Sequence, residues 1–121
     1  MARRLLIVDD ALIMRKRIRD IAQESGWEVA GEARDGVEAV ALFRAERPDL
    51  MTLDIVMPEM DGVEVLRRVM ELDPKAQVVM ISAVDQREKL TECIHHGAID
   101  FIVKPFDGER LRALFDKQLV S

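Results

Sequence analysis

Apolar residues along this chain follow two rhythms. Short, nearly continuous runs rich in Val, Ile and Leu lie at Leu5–Val8, Leu50–Leu53, Val78–Ile81 and Phe101–Val103. Runs with no polar residue at every second position predict strands covered on both faces of a sheet. A fifth run, Glu28–Glu32, is more polar and is expected nearer a sheet edge. Between the runs the apolar spacing changes to three and four. Ile13 or Met14, Ile18, Ile21 and Ala22 line one face of a first helix that stops at Gly26. Asp35, Asp61 and Asp85 each stand three residues before a glutamate and open the next three helices, which stop at Pro48, before Pro74 and at Gly97. Asp107 can cap a fifth, with Leu111, Leu114, Phe115 and Leu119 as its inner face. A carboxylate at the N-cap accepts from free backbone N–H groups, and a glutamate three residues on reaches back. Glycine or proline just past the end is the matching stop.

The order is (βα)5. Strands alternating with helices predict a doubly wound parallel sheet, with helices on both faces and right-handed crossovers. There is no linker, internal repeat or low-complexity stretch. One domain over 1–121 is expected, with no room for another after the last helix.

Composition narrows the function. About half the 121 residues are apolar (49%) and a third charged (34%), which suits a globular chain with a real core. The net charge of −5 argues against a general nucleic-acid binder, and none is expected as a direct partner. No stretch approaches the ~20 apolar residues of a membrane helix. The start briefly imitates a secretory signal, with Arg3 and Arg4 before Leu5–Val8, but two aspartates end the apolar part where roughly 7–15 residues are needed. A cytoplasmic chain without membrane attachment is therefore expected. The lone Cys93 excludes a disulfide framework and a paired-cysteine metal site, and reads as a core thiol.

The chemistry sits where strands end. In such sheets ligands bind outside the carboxyl ends of the strands. Strand one ends at Asp9 and Asp10, strand three at Asp54, strand four at Ser82 and strand five at Lys104. Two carboxylates 4 Å apart repel by about 4 kcal/mol at an effective dielectric near 20. Three of them on an apolar scaffold call for a cation. All-oxygen donors suit a hard divalent ion, and a partly open site suits Mg2+. Such an ion beside a lysine and a hydroxyl makes a place for a phosphoryl group.

With these residues assembled, the chain resembles a response-regulator receiver domain of two-component signalling, along its whole length. The likeness rests on RLLIVDD at the start, LDIVMPEMDG around Asp54, the hydroxyl in ISA and the KPF after strand five. Within that family it is most similar to the single-domain chemotaxis response regulators. The resemblance implies the flavodoxin-like strand order 2-1-3-4-5. It implies that Asp54 is the phosphoacceptor, attacking the phosphohistidine of a partner histidine kinase to give an acyl phosphate. Mg2+ would be held by Asp9, Asp10, Asp54 and the backbone carbonyl of Val56, and Lys104 would pair with a phosphoryl oxygen. A cis bond between Lys104 and Pro105 is implied. Ser82 and Phe101 would form the switch, shifting the population of states at the face of helix four, strand five and helix five, where an output protein such as the flagellar motor switch would bind. The protein would be a monomer and not a turnover enzyme, although it would assist its own phosphorylation and dephosphorylation.

The chain departs from the family pattern in places. Ser82 stands where many members have Thr, and Phe101 where the best-known chemotaxis members have Tyr, so its ring lacks a hydroxyl to offer a partner. Val56 and Val84, two residues beyond Asp54 and Ser82, offer no group to orient an attacking water, which predicts slow loss of the phosphoryl group. Two other roles remain open: a single-domain phosphorelay intermediate, and the receiver part of a transcriptional response regulator. A metal-dependent phosphatase would want a second aspartate where Val56 stands.

Other features have plainer readings. Arg15, Lys16, Arg17 and Arg19 read as a solvated face of the first helix. His95 and His96, being adjacent, point apart and make a poor metal site. Trp27 is expected to pack at the start of strand two. Met57 and Met60 lie in the loop after Asp54, placed to cover the pocket or meet a partner, while most other methionines fill core gaps.

Overall fold

The computed structural model describes residues 3–119; the two residues at each end, which the expected domain range includes, lie outside them. Strands and helices alternate as β1 (Arg4–Val8), α1 (Leu12–Glu24), β2 (Glu28–Ala33), α2 (Gly36–Glu46), β3 (Leu50–Leu53), α3 (Gly62–Leu72), β4 (Val78–Ala83), α4 (Arg87–His95), β5 (Asp100–Lys104) and α5 (Gly108–Leu119). Every strand pair is parallel, and the order is β2-β1-β3-β4-β5. This is the expected (βα)5 architecture and order.

The period of two along each strand sorts the core into two layers. Leu6, Val8, Met51, Leu53, Val78 and Met80 pack with residues of α2, α3 and α4, among them Phe43, Leu66, Val69 and Leu90. Leu5, Ile7, Leu50, Val79, Ile81 and Ile102 pack with Ile18, Ala22, Leu111, Leu114 and Phe115 of α1 and α5. Covering both faces explains why the central runs show no polar alternation. The polar β2 is an edge strand, with only Ala33 fully buried. Trp27 is buried just before it and donates its ring N–H to the Phe115 carbonyl at 3.0 Å, joining β2 to α5.

Helix punctuation holds in most places. Asp35 accepts from the Glu38 N–H at 2.8 Å, and Asp61 from the Glu64 N–H at 3.0 Å. Asp107 accepts from the Glu109 N–H at 2.9 Å and starts α5. Asp85 does not cap α4. It lies in a 3₁₀ turn, Val84–Gln86, and α4 starts only at Arg87, with no side-chain cap. That tighter turn carries the chain straight off the end of β4 and moves Asp85 out to solvent. On α1 it is Met14 that reaches the core, while Ile13 is exposed. α2 ends two residues before Pro48, with Arg47 in the left-handed region at φ 43° and its N–H on the Phe43 carbonyl.

Candidate functional site

Because β1, β3, β4 and β5 lie side by side, their carboxyl ends form one edge. Ser82 and Lys104 sit in the last rungs of β4 and β5, where Ser82 pairs with Val103 and Ala83 with Lys104. Asp9 and Asp54 directly follow β1 and β3. The Asp9 N–H donates to the Ala33 carbonyl and the Asp54 N–H to the Val8 carbonyl, each at 3.0 Å, so the ladder aims both residues. Gly62, the first residue of α3, closes in from the other side. A Cβ there would lie 2.1 Å from the Asp54 carbonyl oxygen, and its N–H donates to the Ile55 carbonyl at 2.7 Å. Only glycine permits that approach.

The side chains converge as the sequence predicts. Lys104 Nζ donates to Asp9 Oδ2 at 2.6 Å and to Asp54 Oδ2 at 3.0 Å. Ser82 Oγ donates to Asp54 Oδ1 at 2.7 Å, and so does the Ile55 N–H, also at 2.7 Å. Asp9 Oδ1 accepts the Ala11 N–H at 2.9 Å. Asp9, Asp54 and Ser82 are buried, whereas Asp10 is exposed. The peptide between Lys104 and Pro105 is cis, as expected.

Burial pushes the Asp9 carboxyl above its ordinary range; the Lys104 hydrogen bond and the Ala11 N–H pull against this, and the charge of Asp54 adds to it. Burial works to lower Lys104, but its hydrogen bond to Asp9 and the charges of Asp54 and Asp9 outweigh it and hold the ammonium more firmly protonated.

One carboxylate oxygen from each of Asp9, Asp10 and Asp54 lies within 4.8 Å of the others. Among the described residues this trio is the group of acids, cysteines or histidines able to share an ion. The charges fit a divalent cation. Three carboxylates face one ammonium, leaving two negative charges uncompensated, and the donors are all oxygen. Asp10 and the exposed Val56 and Val84 stand at the solvent side of this edge.

The other expected residues are placed as follows. Phe101 is partly buried on β5, packed on the layer that carries Leu53 and Met80. Met57 and Met60 pack against that same layer. Cys93 is a buried free thiol, pushed up to about 11 by burial, with Glu92 and Asp61 adding to it. His95 and His96 are both exposed.

The basic residues of α1 are a solvated face only in part: Lys16 and Arg17 are exposed, whereas Arg15 and Arg19 are partly buried against other elements. Arg15 donates to the Asp9 carbonyl at 2.6 Å and lies 3.3 Å from Glu32. Arg19 donates to the same Glu32 at 2.7 Å. Arg17 donates to the Phe106 carbonyl at 3.0 Å and stacks 4.3 Å over its ring. Only Lys16 pairs within its own helix, with Asp20 at 2.8 Å. The guanidiniums tie α1 to the edge strand, to Asp9 and to the loop that follows Lys104. The sequence signal that could have revealed this is Glu32, an acid next to the carboxyl end of β2, together with arginines spaced i, i+4.

Residues 5–116 match the response regulator receiver domain family. Chemotaxis protein CheY of Thermotoga maritima is 45% identical over 97% of this chain and 98% of its own length. Protein CcdB of Bacillus subtilis is 50% identical over 89% of this chain and 90% of its own. Among solved structures, the CheX–CheY–BeF3–Mg2+ complex from Borrelia burgdorferi matches with a TM-score of 0.87 at 38% identity, over 93% of this chain and 87% of that one.

Proposed function

This chain belongs to the response regulator receiver family, and from that premise we propose that it is a phosphorylatable switch of chemotaxis, charged at Asp54 by a sensor histidine kinase. The carrying observation is Asp54 itself: a buried carboxylate that takes Lys104 on one oxygen and Ser82 and the Ile55 N–H on the other. An Asp54 oxygen attacks the phosphorus of a phosphohistidine, an O–P bond forms, and the N–P bond breaks with its electron pair returning to the imidazole. Lys104 stands where it can pair with an oxygen of the incoming group. Mg2+, when bound by Asp9, Asp10, Asp54 and the Val56 carbonyl, supplies charge neutralisation for the transferred group. The presence of BeF3 and Mg2+ in the described Borrelia complex supports this choice of ion.

Once Asp54 is phosphorylated it can no longer take the Ser82 hydroxyl in the same way, and the hydroxyl turns to the new phosphoryl oxygens. Phe101, on the neighbouring strand and only partly buried, follows by packing inward. The face of α4, β5 and α5 then favours a different partner, the flagellar motor switch in this reading. No helix among the described residues is long and apolar enough to cross a membrane, consistent with a cytoplasmic messenger. The protein is a substrate that assists its own transfer and hydrolysis rather than an enzyme turning over many substrates.

The test is labelling by acetyl phosphate with Mg2+. The expected result is one phosphoryl group per chain, lost in Asp54→Asn and in EDTA. Stoichiometric labelling of Asp54→Asn, or no labelling of the wild type with Mg2+ present, would overturn the reading.

A further inference from the structure

Two of the three acids at the sheet edge are held by their side chains. Asp9 is gripped by Lys104 and the Ala11 N–H, and Asp54 by Ser82, Lys104 and the Ile55 N–H. The Asp10 carboxylate accepts no hydrogen bond and makes no ion pair among the described residues. Its direction is therefore set by its backbone, and the peptide entering Asp10 is held from outside the site. Arg15 Nη1 donates to the carbonyl of that peptide, the Asp9 oxygen, at 2.6 Å. Arg15 Nε lies 3.3 Å from Glu32 Oε1, and the Arg15 side chain is only 13% exposed. Glu32 Oε2 is taken by Arg19 at 2.7 Å, so the carboxylate that anchors Arg15 is itself fixed.

We propose that Arg15, braced by Glu32, is a positioning residue for the divalent-cation site: it locks the Asp9–Asp10 peptide plane and thereby aims the Asp10 carboxylate at the ion. The inference rests on the function proposed above. Groups that orient a metal's ligands typically change its affinity by about 10- to 100-fold when removed.

The rival account is that Arg15 merely staples α1 to β2. Arg19 performs that stapling without touching Asp9, so the two residues separate the roles. The experiment is a calorimetric Mg2+ titration of the folded wild type, Arg15→Met, Arg15→Lys and Arg19→Met, with thermal unfolding in EDTA recorded for each. Both methionine variants are expected to unfold at lower temperature. Arg15→Met is expected to bind Mg2+ about 10-fold more weakly. Arg15→Lys, which keeps a donor but cannot span the Asp9 carbonyl and Glu32 together, is expected to lie between it and wild type. Arg19→Met, which loosens Glu32 but leaves Arg15 on the Asp9 carbonyl, is expected to weaken Mg2+ binding clearly less than Arg15→Met does. Wild-type affinity in Arg15→Met, or equal weakening in Arg19→Met, overturns the proposal. Should Arg15→Met not fold, wild-type affinity in Arg15→Lys overturns it instead. A wild type that binds no Mg2+ would overturn the proposed function, and this inference with it.

Discussion

The two ends of the sheet carry charged pairs of nearly the same length in different surroundings. At the amino ends Arg4 meets Glu46 at 2.7 Å, with the two side chains 35% and 36% exposed. At the carboxyl ends Lys104 meets Asp9 at 2.6 Å, with exposures of 18% and 1%. A pair as wet as the first contributes about 0–1 kcal/mol. The second has been taken from water at a cost of several kcal/mol per ion, which mutual attraction returns only in part. It is also unbalanced, because Asp54 and Asp10 share the same lysine or have no partner. Distance alone does not separate the ends; burial and charge balance do. One end closes the fold, and the other keeps uncompensated charge available for a ligand.

The largest effect that would sharpen this contrast comes from Lys104→Met, which leaves Asp9 and Asp54 buried without a counter-charge. Urea unfolding in EDTA is expected to show a loss of about 3 kcal/mol. Added Mg2+ should then restore more stability to the variant than it adds to the wild type, because the ion replaces missing positive charge. A loss no greater than that of an amino-end pair would remove the distinction. Gly62→Ala comes next. Its Cβ would fall 2.1 Å from the Asp54 carbonyl oxygen and 2.8 Å from the Ile55 Cα, both backbone atoms with little room to yield. A loss of about 2 kcal/mol is expected, with slower labelling of Asp54 because the loop carrying it must shift.

Removing charge from the same edge should act in the opposite direction. Asp10→Asn relieves repulsion in the trio, and being exposed it is screened by solvent. In EDTA its unfolding midpoint is expected to rise, by less than about 1 kcal/mol. In the same variant the stabilisation by Mg2+ should largely vanish, which thermal scans with and without the ion would show. An acid that stabilised the apo protein at this position would contradict the reading of an edge held under charge strain. Glu46→Ala, at the amino ends, is the matched control. It is expected to lose under about 1 kcal/mol and to leave both Mg2+ binding and labelling unchanged.

The two ends also differ in how far the sequence discloses them. Asp9, Asp54, Ser82 and Lys104 were legible because each is a polar residue at the end of an apolar run, and a parallel sheet brings such ends together. Asp35 and Asp61 were legible because an N-cap is a local bond. Asp85 carries the same D-x-x-E spacing, yet the 3₁₀ turn at Val84–Gln86 displaces it; the spacing contains no record of how sharply the chain must leave β4. The inward bonds of the α1 arginines escape the helical pattern for a related reason. Their partners lie 6, 13 and 89 residues away, at Asp9, Glu32 and Phe106, and a helical pattern reports only which face is apolar. Long side chains that fold back over an edge strand look like solvated charge until the strand is in place.

The smallest effect on stability should come from the rim of the carboxyl end, where it can be separated from the lifetime of the phosphorylated state. Val56 lies two residues beyond Asp54 and is exposed, so Val56→Asn removes no core contact and should leave the unfolding midpoint within about 0.5 kcal/mol of wild type. A valine there can exclude water but cannot orient it. An amide at the same position can accept from and donate to a water directed at the phosphorus, the arrangement that speeds in-line attack. The expected result is a several-fold faster loss of phosphoryl label after the donor is removed, at unchanged stability and unchanged Mg2+ affinity. If decay and stability moved together, the rim would be one more structural margin like the amino end. If decay moves alone, the carboxyl end holds its chemistry in place with buried charge and sets its duration with exposed side chains that the fold does not need.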